Sequence, residues 1–185
     1  MTAASTRLSV MMFLEYLIWG SWLPLLALYL GGVLGFTGGE IGWIFATQAI
    51  AAVVGLFAGG QIADRWLSTE KVLAVSHAIA GLAMCALAFT PSFWAFFVIM
   101  LVYQLVFMPT LSLTNAIAFY HVKDAQKDFG RIRLWGTIGW IAASWPFYFL
   151  LDGKEGADLH AALPSIFWVS GLASIALASF SLMFL

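Results

Sequence analysis

FWAFFVIMLVYQLVFMPTLSLTNAIAFY, residues Phe93–Tyr120, runs for 28 positions without a charged side chain. About 20 apolar residues suffice for a helix to cross the hydrocarbon core of a bilayer. The stretch therefore predicts a membrane span, long enough to tilt, with Pro109 as a kink that neighbouring helices can accommodate. Working outward, the pattern recurs on both sides. Apolar runs over residues 8–30, 41–62, 72–89, 132–151 and 163–185 join residues 93–120 to make six. They are separated by a Gly-rich turn (Gly31, Gly32, Gly35, Gly38 and Gly39), by Asp64-Arg65, by Thr90-Pro91-Ser92 and by two longer polar connections.

Composition agrees with that count. The 185 residues include 8 basic and 9 acidic side chains, 63% are hydrophobic, and the mean hydropathy is +0.96. Soluble domains run near a quarter charged, so a soluble domain and a disordered segment are excluded. A net charge of -1 without clustered basic surface excludes a nucleic-acid binder. The one cysteine, Cys85, excludes a disulfide framework and a Cys-rich metal site. The expected fold class is an all-α membrane protein, with residues 1–185 forming one bundle of six transmembrane helices. The first span exceeds the length of a signal-peptide core and is not followed by a cleavage site and polar mature sequence, so it is read as a retained helix.

Basic residues set the orientation. Arg7, Arg65, Lys71, Lys123, Lys127 and Arg131 fall at one set of span ends, and Lys154 alone falls at the other, beside Glu40, Asp152, Glu155 and Asp158. By the positive-inside rule both termini face the cytoplasm, which requires an even number of spans. The last apolar run reaches Leu185 without a basic stop, which reads as a chain cut at the end of a helix.

Ionisable and polar groups at membrane depth are costly, and each is a functional candidate. Glu15, Trp19 and Trp22 are spaced i, i+4, i+7 and share a helix face, read here as lining a cavity. A carboxyl in such a place can exchange a proton near neutral pH. It can equally be a structural group bonded to a neighbouring helix or paired with Arg133. Arg133, Thr137 and Trp140 repeat the spacing near the start of span five: a planar donor fork, a hydroxyl and an indole plane suited to a polar, planar ligand. The alternative is that Arg133 snorkels to the cytoplasmic interface. Gln104 and Asn115 share a face of span four, and Gln48 is a further amide in span two; each can line a wet cavity or join helices. Gly55-x-x-x-Gly59 permits close helix approach. His77 finds no carboxylate in register, His121 falls at the cytoplasmic end of span four and His160 in the opposite loop, and no nucleophile–base or metal-ligand motif occurs, so no enzyme and no metal site are expected.

Two groups of residues carry a resemblance. Gly60-Gln61-Ile62-Ala63-Asp64-Arg65 resembles the first half of the signature loop of the major facilitator superfamily, with Leu67 where a second Gly is usual. More specifically, the segments Phe13–Trp22, Asp64–Ser68, Met108–Leu111 and Ile132–Trp140 resemble the bacterial nucleoside–proton symporter family within that superfamily. The resemblance implies the N-terminal six-helix half of a twelve-span carrier of the bacterial cytoplasmic (inner) membrane. That carrier works by alternating access, with a proton as coupling ion and no other cofactor. It implies a substrate-binding set of Arg133, Thr137 and Trp140, to which the residues above add Glu15, Trp19, Gln104 and Asn115. Glu15 is also the proton-coupling candidate, at a position where members carry Gln or Glu. Gly60, Asp64 and Arg65 would belong to the cytoplasmic gate. The implied partners are a nucleoside, membrane lipid and a C-terminal six-helix half absent from this chain. Trp140 stands where the family more often has Phe, and Pro24 and Leu25 stand where small or hydroxyl residues are common, which would reshape the cavity. A carrier for another polar solute, such as a sugar or organic anion, and a stand-alone six-span assembly or anchoring protein are the alternatives.

Overall fold

The computed structural model describes the backbone of residues 3–63, 68–122 and 125–185, and the side chains of residues 4–55, 68–122 and 128–185. Lipid offers no hydrogen-bond partner to a peptide group, so an apolar chain of this kind satisfies its backbone within helices. Those helices are α1 (Ala3–Leu28), α2 (Gly38–Ala63), α3 (Thr69–Leu87), α4 (Phe93–His121), α5 (Ala125–Leu151), α6 (Gly156–Ala162) and α7 (Ser165–Phe184). Among the described residues, six helical stretches are long and apolar enough to cross a membrane. The short α6 joins α7 in the last of them and was not foreseen.

The ends of the elements depart from the sequence reading for local reasons. A π-helical turn, Tyr29–Val33, extends α1 beyond the expected Leu30 stop. The reversal is made at Gly35, whose φ of +66° suits glycine, and Gly38 and Gly39 belong to α2, not to the turn. Thr37 and Glu40 then cap α2 reciprocally. The Thr37 backbone N–H and hydroxyl each donate to Glu40 Oε2 at 2.8 Å, and the Glu40 N–H returns to Thr37 Oγ1 at 3.4 Å. Helix α5 begins at Ala125, seven residues before the expected Ile132.

Helix α1 is the centre of the bundle, packed along α5 on one side and α7 on another, while α3 joins α7 to α4 and α2 rests on α4. Two glycine seams permit the closest approaches. A methyl group at Gly139 would strike the backbone of Phe13, and one at Gly20 would lie 2.9 Å from Trp140 O, so α1 and α5 pack nearly backbone to backbone. A methyl group at Gly81 would lie 2.9 Å from Gly171 O, which sets the α3–α7 crossing. In membranes, where lipid is as apolar as leucine, such close packing is a main source of helix association. The Gly55 seam is looser: an added methyl would meet Pro109 Cγ at an ordinary 3.6 Å.

The start of α1, the start of α3 and the ends of α4 and α7 lie at one end of the bundle. Arg7 donates to Phe184 O at 3.3 Å, Ser181 to Glu70 O at 2.8 Å, and a cleft there is lined by Arg7, His121 and Phe184.

Candidate functional site

Because α5 starts early, Arg133 lies eight residues into it, about 12 Å along the axis at 1.5 Å per residue. Its guanidinium sits 4.1 Å from the centroid of the Tyr16 ring, a cation–π contact that a desolvated arginine favours. Arg131 is exposed and Arg133 half-buried, so the two differ as an interfacial anchor differs from a group held against the bundle. Gly136 makes room for the contact: a methyl group there would lie 2.7 Å from Tyr16 and 2.8 Å from Arg133 Nη1.

Thr137 is exposed and Trp140 half-buried on the same stripe of α5. Trp140 meets Trp19 edge to face, with ring centroids 5.3 Å apart, and Trp19 meets Phe107 of α4 at 6.3 Å. Trp19 thus ties α5 to α4 across α1. The stripe continues through Ser144 and Tyr148, which with Gly20, Pro24 and Leu25 line a cavity of about 430 Å³ ending at Asp152. Ser144 and Tyr148 were missed in the sequence, although their spacing from Trp140 continues the i, i+4 series.

Among the described residues, three buried side-chain atoms have no protein partner: Trp19 Nε1, Gln104 Oε1 and Asn115 Oδ1. Gln104 is 2% exposed. Buried polar groups are normally satisfied, so each exception needs an explanation such as a bound molecule. Asn115 Nδ2 is used locally, donating to Leu111 O at 2.9 Å. Gln48 is half-buried on α2.

Glu15 and Trp22 correct the cavity-lining reading of their shared face. Both side chains are sealed inside the bundle, at 0% and 1% exposure. Trp22 Nε1 donates to Tyr103 OH at 3.0 Å. Glu15 is not paired with Arg133. Its Oε2 lies 2.8 Å from His77 Nε2, and its Oε1 lies 2.7 Å from the Thr110 hydroxyl, which also reaches Phe107 O at 2.6 Å. His77, also 0% exposed, reaches Ser174 Oγ through Nδ1 at 3.3 Å. The expectation that His77 finds no carboxylate is thus overturned. The partners are 62 positions apart in sequence, so local spacing carried no signal. The available cue was a lone imidazole in an apolar span, which needs a partner from elsewhere.

Of the gate residues, Gly60 falls within α2, and Asp64 and Arg65 lie outside the described residues. Among the described residues no group of His, Cys, Asp and Glu is arranged to hold a metal ion.

The six-helix bundle has the fold of one half of a major facilitator superfamily protein. The whole chain, residues 1–185, matches the family model "Nucleoside H+ symporter", and it belongs to that family. It is 46% identical over 155 residues to "Putative nucleoside transporter YegT" of Escherichia coli, covering 84% of this chain and 36% of that one. It is 39% identical over 145 residues to "Nucleoside permease NupG" of E. coli, covering 75% and 34%. The crystal structure of nucleoside transporter NupG superposes with a TM-score of 0.89 at 32% identity, covering 100% of this chain and 44% of that one. The chain thus spans less than half the length of these relatives and corresponds to one six-helix half of the fold. It is a multi-pass protein of the bacterial inner membrane.

Proposed function

We propose that this chain is the N-terminal half of a proton-coupled nucleoside carrier, with both termini cytoplasmic. The carrying observation is Arg133. This guanidinium lies in a helix long and apolar enough to cross a membrane, rests on the Tyr16 ring and makes no ion pair among the described residues. A cation so placed is available to a ligand, and membrane-embedded ionisable groups mark substrate paths.

In this reading the Arg133 fork and the Thr137 hydroxyl bind the polar edge of the nucleoside, and the Trp140 and Trp19 indoles supply apolar planes for base or sugar. Trp19 Nε1 offers a donor, and Gln104 Oε1 and Asn115 Oδ1 offer acceptors for ribose hydroxyls; all three lack a partner among the described residues, which supports their assignment. Gly60, Asp64 and Arg65 belong to the cytoplasmic gate by their resemblance to the superfamily loop. A second six-helix half closes the site, and rocking of the halves exposes it to each side in turn.

The test is uptake of a labelled nucleoside by cells producing the full-length carrier, with sugars and organic anions as competitors. Arg133→Ala is expected to lower uptake at least about thirtyfold, the equivalent of about 2 kcal/mol. Unchanged uptake would remove Arg133 from the site, and competition by a sugar or organic anion at nucleoside-like concentrations would reassign the substrate.

A further inference from the structure

We infer that Tyr16 holds the Arg133 guanidinium at the substrate site, and that Tyr16 and Trp19 together fix the spacing between that cation and the Trp140 plane. The inference rests on the reading of the chain as half of a nucleoside carrier with Arg133 in its site. Failure of that reading would show before any Tyr16 variant is compared, as no nucleoside binding by the unsubstituted protein or as undiminished binding by Arg133→Ala.

An arginine near the start of a membrane helix has a competing place to go. Arg133 lies eight residues into α5, and its flexible stem can turn back toward the helix start, where the exposed Arg131 lies and a charge is hydrated. Keeping it against the bundle takes a partner there. Glu15 is next to Tyr16 in the chain, but consecutive helix positions point about 100° apart. The Glu15 carboxyl is bonded to His77 and Thr110 in the interior, while the half-buried Tyr16 ring is turned toward α5. The guanidinium carbon therefore lies over that ring, 4.1 Å from its centroid. A ring face attracts a cation through its quadrupole, whereas a carboxylate would take two donors of the fork and neutralise the charge that a ligand meets.

The contact is fitted from both sides. On α5, a methyl group at Gly136 would lie 2.7 Å from Tyr16 Cδ2 and 2.8 Å from Arg133 Nη1, so ring and guanidinium fill the space that any side chain there would take. On α1, the Tyr16 ring lies 6.3 Å from Trp19, and Trp19 lies 5.3 Å from Trp140. Arg133 and Trp140 stand seven residues apart on α5, about two turns. Their side chains are bridged by Tyr16 and Trp19, three residues apart on α1. Two rigid rings on one helix thereby set the distance at which the cation and the indole plane are offered to a ligand. The close seam at Gly20 and Gly139 keeps the two helices in register.

A long side chain with many rotamers subtracts from affinity when it must be ordered on binding. Tyr16 orders Arg133 before the ligand arrives, and its contribution is felt only through Arg133. Tyr16 is accordingly a positioning residue. The ring carries the effect, so phenylalanine serves in its place.

The experiment is equilibrium binding to purified full-length carrier, using whichever of labelled uridine and labelled adenosine the unsubstituted protein binds, with the folding of each variant checked by thermal shift. Tyr16→Leu removes the ring and should bind at least about fivefold more weakly, the scale of a partly desolvated cation–π contact. Tyr16→Phe keeps the ring and should stay within about twofold of the unsubstituted protein. In a carrier that already has Arg133→Ala, Tyr16→Leu should change affinity by less than about twofold, because the group it positions is gone. Gly136→Ala crowds the same contact from α5; it should weaken binding about fivefold alone and have little further effect beside Arg133→Ala. A ring that only filled space would cost the same in both backgrounds. Equal losses with and without Arg133 would therefore overturn the inference. So would Tyr16→Leu binding like the unsubstituted protein, or Tyr16→Phe losing as much as Tyr16→Leu. Should Tyr16→Leu not fold, Gly136→Ala in the two backgrounds decides by the same criterion.

Discussion

The interior shared by α1, α3, α4 and α7 and the wall where α5 meets α1 are both rich in aromatic and polar groups, yet they are finished differently. In the interior, Glu15, His77, Thr110, Trp22 and Tyr103 consume one another's hydrogen bonds and are closed to water. On the wall, Thr137 is exposed and, among the described residues, Arg133 makes no ion pair and Trp19 keeps an indole N–H without a partner. A satisfied polar network specifies packing, whereas an unsatisfied one is a place for something else to bind. Residue type does not separate the two regions; Trp19 and Trp22, three positions apart on one helix, fall on opposite sides of the distinction.

The largest effect is expected where the regions join. Gly139→Leu would force α5 off α1 and misplace Arg133, Thr137 and Trp140 together. Overpacking typically costs about 1–3 kcal/mol, and more where backbone itself is in the way. Size-exclusion chromatography of the solubilised carrier should show little monodisperse protein, and a normal profile would contradict the backbone-to-backbone seam.

The comparison can be sharpened with the two tryptophans. Trp22→Phe leaves Tyr103 OH without its donor in a dry interior and should lower thermal stability by the equivalent of about 1–3 kcal/mol, with the KM of the surviving carrier unchanged. Trp19→Phe keeps a ring against Phe107 and Trp140 but removes the free N–H. It should raise KM roughly fivefold, a net hydrogen bond of about 1 kcal/mol, and leave stability nearly as it was. A thermal-shift series beside uptake kinetics checks both, and the same pattern in the two variants would erase the distinction.

The smallest effect belongs to Trp140→Phe, which retains an aromatic plane. Nucleoside KM should move by no more than about threefold, within the range of an aromatic contact. A larger change, read from the same kinetics, would mean that the indole itself is recognised.

Much of the fold was legible because membrane spans announce themselves by composition over some 20 residues. The run from Phe93 to Tyr120 needed no other information, and five further runs completed the bundle. What escaped depends on atoms distant in sequence. The π-helical turn at Tyr29–Val33 and the early start of α5 are decided by local backbone bonding and by packing, not by hydropathy. The tight seam at Gly20 and Gly139 was hidden because a glycine's importance lies in what approaches it. Along α5, the i, i+4, i+7 series puts Arg133, Thr137 and Trp140 on one stripe. The same spacing misled for Glu15 and Trp22, since periodicity identifies a shared face without saying whether that face meets water or protein. The partner of Glu15 could not be read locally at all.

Equilibrium binding of a labelled nucleoside to purified full-length carrier tests the role of the wall most directly, because it reads affinity without proton coupling or turnover. Arg133→Ala should bind at least about tenfold more weakly than the unsubstituted protein, a loss of about 1.4 kcal/mol or more. Equal affinity in the two, with both proteins folded, would contradict the assignment of Arg133 to the substrate site.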